Sequence, residues 1–467
     1  MIPSASHFFR ILLLASVAAL GGFLFGYDSG CINGTVGSLE KAFQTEGIGS
    51  GFNVASMLLG CAAGAFLAGG IADRFGRKAA LFAAAVLFGI SAWGSGIAGS
   101  SAEFIVYRLI GGFAVGAASV ISPAYISEIA PARSRGALAT LQQLAIVLGL
   151  FFAFLANWLI AGSAGGASEV WLLGFEAWRW MFWAELIPVV LFLFGLFLIP
   201  ESPRYLVAAG KADKAREVLS MLSHPADAGL KVKEIEETLK AGHRPSFRDL
   251  WDPLTRKVHP IVWVGLSIAA LQQFVGINVV FYYGEVLWKS AGFSESEALL
   301  INVIGGTINV ASTVVALLLV DRWGRKPLLI TGAVGMAFFL GTLAVVFSGA
   351  QTGPDGNLVL GQVPGIIALV AANLYIFCFG ISWGPVMWVL LGEMFPNQFR
   401  GAALSFAGLS QWMSNFLVTM TFPMFLAGIG LGGAYGIYAA FGVVAAFYAW
   451  KCVRETKGKT LEQMQKS

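Results

Sequence analysis

The sequence predicts an all-α membrane protein: twelve transmembrane helices in two pseudo-symmetric six-helix bundles, joined by a short helical loop. Three observations predict it. Of the 467 residues, 57% are hydrophobic and only 12% are charged, about half the charged share of a soluble domain. Apolar runs of about 20 residues, enough to cross a bilayer, recur twelve times. Charged motifs then return at matching places in the two sets of six.

The first six runs lie near 10–34, 53–72, 79–99, 103–127, 137–161 and 179–199. Six more lie near 261–288, 297–320, 327–349, 364–391, 402–427 and 433–453. Bundles are therefore expected over 1–199 and 261–453, with a linker at 200–260 and a tail at 454–467. In the linker, 202–222 and 230–241 mix Ala, Leu, Val, Lys and Glu at helical spacing, which predicts short surface helices. The first run has no convincing cleavage site after it, so it is expected to stay as a membrane helix. Many of the 58 glycines lie inside apolar runs, which suits helices that bend or approach closely. Cys31, Cys61, Cys378 and Cys452 lie in or beside apolar runs without metal-ligand spacing, and read as small hydrophobes. A net charge of +4 is too small to point to nucleic acid.

Orientation follows from Lys and Arg. Loops after even-numbered runs carry Arg74, Arg77 and Lys78, then Arg133 and Arg135, then the linker, then Arg322, Arg325 and Lys326, with Arg400 after run ten. The segments 162–177 and 348–362, after odd-numbered runs, carry none. With positive residues inside, both termini and the linker are expected in the cytoplasm.

The halves echo each other. DRFGRK at 73–78 returns as DRWGRK at 321–326. Glu128 precedes Arg135 by seven residues, and Glu393 precedes Arg400 by seven. Pro200-Glu201-Ser202-Pro203-Arg204 is echoed by Arg454-Glu455-Thr456-Lys457-Gly458. Such duplication is a transporter signature. The charges involved, Asp73, Arg74, Arg77, Glu128, Arg135, Glu201 and Arg204, then Asp321, Arg322, Arg325, Glu393, Arg400 and Glu455, could be ordinary surface pairs. Their recurrence at equal positions instead predicts a network that closes the cytoplasmic side in the outward-open state.

Asp28, in GGFLFGYDSG at 21–30, is a lone carboxylate in the first apolar run. A charge at mid-membrane costs about 2.5–3.5 kcal/mol on insertion scales, so it needs a partner or a watery cavity. Run one goes outward from about Arg10 and run four inward from about Glu103, which sets Asp28 and Arg108 at matching depth in the outer half. They are expected to pair, either as a permanent structural pair or as a proton switch. Glu185 lies in run six without an assignment, and Glu285, near the outer end of run seven, is expected to be wet. His7, His224, His243 and His259 are terminal or in the linker, so none is expected to relay protons within the membrane.

These residues, with YRLIGG around Arg108, PESPR at 200–204, QQFVGIN at 272–278 and WGPVMWVLLGE at 383–393, resemble the sugar porter family of the major facilitator superfamily over essentially the full chain. Bacterial hexose–proton symporters are the nearest likeness. One departure is Arg454, where the family motif reads Pro before Glu-Thr-Lys-Gly. The resemblance implies a twelve-helix major facilitator fold with a midplane sugar site. It assigns sugar contact to Gln143, Gln272, Gln273, Asn278, Asn309 and Trp388, and pocket-lining or gate positions to Phe25, Tyr282, Gln411 and Asn415. Hexose hydroxyls both donate and accept, as side-chain amides do, and aromatic rings suit the apolar sugar face. Gln272, Gln273 and Asn278 would span about 9 Å of one helix. Helix-to-helix glue, at about 0.6 kcal/mol per contact, is the alternative for any single amide. Trp383 is open between a core position and a ligand.

The implied function is proton-coupled import of a hexose, glucose first, by a monomer in the cell membrane, with Asp28 as the coupling group. The rivals are a passive hexose uniporter and a sugar-binding sensor. No nucleophile–base set, nucleotide loop or metal-ligand cluster is present in the sequence, so neither an enzyme nor a cofactor or metal is expected.

Overall fold

The computed structural model describes residues 5–131, 135–222, 225–241, 250–251, 257–353, 358–396 and 398–457. Spans one to five are single helices: Ala5–Cys31, Ile48–Phe75, Arg77–Ile97, Ser101–Ile129 and Arg135–Ala164. Span six is Ala177–Trp183 followed by Leu186–Leu198. Span seven is broken into Pro260–Phe274, Ile277–Tyr282 and Gly284–Ser290. Spans eight and nine are Glu295–Trp323 and Arg325–Ser348, and span ten is Gln362–Ile381 with Trp383–Met394. The helix Arg400–Cys452 carries both remaining spans, because the chain turns back at Gly430 (φ 70°, ψ 178°). Counted so, the described residues make twelve apolar crossings. The linker holds three surface helices, Pro203–Ala208, Ala212–Leu222 and Pro225–Ala241.

Glycine sets the packing distance within the first half. A Cβ on Gly26 would lie 1.9 Å from the Ile146 carbonyl, and one on Gly149 would lie 2.0 Å from that of Phe23. Spans one and five therefore touch backbone to backbone. Close approach of this kind replaces the hydrophobic drive that lipid removes. Between the halves, span two packs on span eleven and span five on span eight.

One expectation about span seven is corrected. Gln272 and Asn278 do not share a continuous helix, because Gly276 adopts a left-handed conformation (φ 82°). The ring of Tyr438 occupies the space a Cβ would need, 2.7 Å away. Only glycine takes both the dihedral and the contact without strain.

The ends of the spans define two faces. The DRxGRK loops and the linker mark the basic face; the opposite one is here the far face. Hydrogen bonds join the two halves at the far face. The Asn33 amide donates to the Phe281 carbonyl at 2.9 Å, and its oxygen accepts from the Asn302 amide at 2.7 Å and the Glu285 N–H at 3.3 Å. The Ala167 N–H donates to Glu295 at 2.7 Å. Glu285, expected to be wet, is buried and paired with Lys289 at 3.0 Å. The reason is the helix Val36–Phe43, which lies over it with Gly37 against the carboxylate.

Candidate functional site

Halfway through the membrane, between the halves, lies a cavity with about 150 Å³ of water-accessible volume. That is room for on the order of ten waters. Its lining includes all ten residues assigned above to the sugar site: Phe25 and Gln143 from the first half, then Gln272, Gln273, Asn278, Tyr282, Asn309, Trp388, Gln411 and Asn415 from the second.

The amides form a chain. The Gln272 side-chain N–H donates to the Trp383 carbonyl at 2.7 Å, while its oxygen accepts from Gln273 and from Gln411, each at 3.1 Å. Asn278 donates to the Gln273 oxygen at 2.5 Å, and Asn415 donates to the Tyr282 hydroxyl at 3.4 Å. Each group keeps further donors or acceptors, and the Gln411 oxygen has no partner. Trp388 is 38% exposed on the cavity wall. Trp383 is fully buried, with its indole N–H on the Leu329 carbonyl at 2.9 Å, so it is a core residue. Trp412 was not anticipated; it lines the cavity and packs on Phe25 with centroids 5.6 Å apart. The available signal was its place beside Gln411, three residues before Asn415.

Behind the cavity, in the first half, Asp28 accepts from the Arg108 guanidinium, and each is 1% exposed. The same guanidinium reaches the Met57 sulfur at 2.8 Å and sits 5.9 Å from the Phe182 ring centroid. Glu185, also buried, lies in electrostatic range of both Asp28 and Arg108. One oxygen of Asp28 and one of Glu185 have no hydrogen-bond partner. Arg108 thus pairs with Asp28, while Glu185 stands buried nearby without an ion pair of its own among the described residues. Asp28 is flanked on its helix by Phe25, Gly26 and Ser29, which line the cavity, so the ion cluster and the amide site are one side chain apart.

At the basic face the two halves build the same cluster twice. The Arg77 guanidinium holds the Ala72 carbonyl at 3.1 Å, Asp73 at 3.0 Å and Glu128 at 3.1 Å. Arg325 holds the Val320 carbonyl at 3.2 Å, Asp321 at 3.0 Å and Glu393 at 2.7 Å. Glu201 accepts the backbone N–H groups of Arg77 and Lys78, at the start of span three. Glu455 accepts those of Arg325 and Lys326, each at 3.0 Å, at the start of span nine. Ser202 donates to Glu128 as Thr456 donates to Glu393. A carboxylate at a helix N-terminus satisfies free N–H groups and the helix dipole together. Burial pushes the Glu455 carboxyl up, but four backbone N–H groups outweigh it and hold the carboxyl below the usual range.

Not every expected gate residue joins these clusters. Arg74, Arg204 and Arg322 are exposed, and Arg400 donates to the Phe395 carbonyl at 3.1 Å instead of meeting Glu393. The Arg135 side chain lies outside the described residues. The described ion pairs at this face each lie within one half. The clusters stand intact in a structure whose halves are also bonded to each other at the far face.

Comparison with known proteins agrees with this geometry. The family model for the sugar (and other) transporters matches residues 14–467. The chain is 54% identical to the glucose transport protein of Synechocystis, over 97% of each chain. It is 42% identical to the D-xylose-proton symporter of Escherichia coli, over 99% of this chain and 96% of that one. Among solved structures, the partially occluded inward-open xylose transporter XylE of E. coli matches with a TM-score of 0.83 at 40% identity, covering 96% of this chain and 99% of that one. The same proton:xylose symporter bound to 6-bromo-6-deoxy-D-glucose matches at 0.79 and 41% identity, over 98% of both chains. With a family match over nearly its whole length, this chain belongs to the sugar transporter family of the major facilitator superfamily.

Proposed function

We propose that the chain imports a hexose, with glucose the leading candidate, by proton symport and alternating access. It does so as a monomer in the cell membrane, with both termini and the basic face in the cytoplasm. The observation that carries the reading is the buried Asp28–Arg108–Glu185 cluster one side chain away from an amide-lined cavity. A passive carrier needs the cavity. It has no need of a buried Asp28–Arg108 pair with a second buried carboxyl, Glu185, close by, where unpaired charge is costly. A glucose and a xylose–proton carrier among the relatives support the same reading.

The residues divide the work as follows. Gln272, Gln273, Asn278 and Asn309, with Gln143 across the cavity, hold the sugar hydroxyls, and Trp388 covers the apolar ring face. A proton arriving from the far face neutralises Asp28 and weakens its hold on Arg108. Loosening that pair frees spans one and four to shift together with the bound sugar. Release of both at the basic face restores the pair. In the outward-open state the two charged clusters meet and close the basic face.

The test is transport in vesicles. Asp28→Asn removes accumulation above the external concentration while leaving sugar exchange across the membrane. Accumulation that survives Asp28→Asn would sink the coupling role of Asp28, accumulation that survives a protonophore would sink proton symport, and a parent protein that equilibrates sugar without accumulating it would leave the uniporter.

A further inference from the structure

We propose that loop 170–175, between spans five and six, is a membrane anchor seated in the headgroup region of the leaflet at the far face. It is Val170-Trp171-Leu172-Leu173-Gly174-Phe175, six apolar residues in succession. The loop is held firmly. A bridge pairs Val170 with Glu176, the Trp171 N–H donates to the Phe175 carbonyl at 2.8 Å, and the Trp180 indole N–H donates to the Leu172 carbonyl at 3.1 Å.

This rigidity points apolar side chains outward. Leu173 takes a left-handed conformation (φ 56°, ψ 19°), which branched side chains rarely adopt, and is 85% exposed. Backbone strain and exposed apolar surface at one residue are unfavourable together unless something covers it.

Lipid covers it, because of where the loop hangs. Trp93 is 53% exposed on span three, in a stripe with Val86, Ile90 and Ile97, so this side of the bundle faces the membrane. An unbroken run of rings leads from there to the loop. Trp93 stacks on Trp183 at 5.4 Å, Trp183 meets Phe175 and Trp180 at 5.1 Å each, and Trp180 meets Trp171 at 5.9 Å. Depth is fixed by Arg179, which donates to the Gly96 and Ala98 carbonyls where span three ends. The loop therefore sits at the bilayer boundary, where tryptophans gather and amphipathic segments lie in the interface plane. This seating depends only on the membrane placement of the chain, not on its substrate.

A nitroxide at Leu173→Cys tests this, in a Cys378→Ser, Cys452→Ser background whose remaining cysteines are buried. In phosphatidylcholine vesicles, power saturation should show oxygen relaxing the label several-fold more than an aqueous nickel chelate. A label at Lys214→Cys, on the exposed linker, should show the reverse. Stronger relaxation by the nickel chelate at 173 would overturn the proposal in favour of a solvent-facing loop. Accessibility to neither reagent would overturn it in favour of a protein partner. Spin–spin broadening that vanishes on dilution with unlabelled protein would overturn it in favour of a second copy of this chain.

Discussion

The two halves agree at the basic face bond by bond and part company at mid-membrane. Arg77 and Arg325 hold the same three kinds of partner, and Glu201 and Glu455 cap the same helices. Deeper in, the first half contributes a buried ion cluster, and the second contributes most of the amides and aromatics that line the cavity. The difference teaches how one duplicated unit could support the proposed proton-coupled transport. The charged clusters tie the span ends together within each half, with the same pairs on both sides. Coupling and recognition need different chemistry, a charge that can be cancelled and hydrogen bonds that can be exchanged. On the proposed function each would rest mainly on one half, so that motion of one half against the other would link them.

The largest effect should come from breaking the asymmetry in the first half. Arg108→Leu leaves Asp28 and Glu185 buried without a cation, and removing one partner of a buried pair costs about 3–5 kcal/mol. Thermal unfolding in detergent should show the loss, and adding Asp28→Asn should return part of it. Equal instability of the single and double variants would mean that the pair does not act as a unit.

Recognition should be lopsided the other way. Gln272→Ala removes the amide at the centre of the chain and unpairs Gln273 and Gln411, and should weaken sugar binding by about 10–100-fold, or 1.4–2.8 kcal/mol. Gln143→Ala, across the cavity, should cost less. Equal losses in a titration of sugar against intrinsic fluorescence would place recognition on both halves alike.

Much of this was legible in the sequence, and the limits have physical causes. Asp28 and Arg108 could be matched because helices of known rise and direction fix depth, and a buried charge needs a partner. The ten cavity residues were readable because they follow a family pattern of amides and aromatics. Glu185 was not, since its partner is set by the rotation of span six, which two short helices and a break determine. Glu285 was misjudged because the cover over it, helix Val36–Phe43, comes from the other half. The break at Gly276 was invisible among many glycines until Tyr438, about 160 residues on, filled the space beside it. That the charge clusters stay within each half also follows from tertiary placement, which matching spacing alone does not reveal.

The symmetric part predicts equal effects. Glu201→Gln and Glu455→Gln each weaken charge-assisted bonds to helix N-terminal N–H groups, and should each cost about 1–2 kcal/mol. The pH dependence of Glu455 has a definite sign. Its carboxyl lies below the usual range in the folded protein. The stability it adds is therefore fully present above the unfolded carboxylate pKa, about 4.3, and is lost as pH falls through the lower folded value. Melting temperatures of the parent and of Glu455→Gln should differ by a constant amount from pH 7 to pH 5 and converge only in stronger acid. Convergence near neutral pH would show that the carboxylate is not held by those N–H groups.

The smallest effect tests the same symmetry through the backbone. Gly76 and Gly324 precede spans three and nine with φ of 99° and 95°. A Cβ would lie 2.3 Å from a Glu201 oxygen at the first and 2.7 Å from a Glu455 oxygen at the second. Alanine at either site meets an unfavourable dihedral and pushes the capping carboxylate away, offset in part by the lower entropy of the unfolded chain. Each substitution should destabilise by about 1 kcal/mol, with Gly76→Ala slightly the worse because its contact is closer. In the Glu201→Gln background the carboxylate hold is already weakened, so Gly76→Ala should cost less there than in the parent. A full, additive cost would show that the glycine is kept for its dihedral alone and not for the carboxylate it admits.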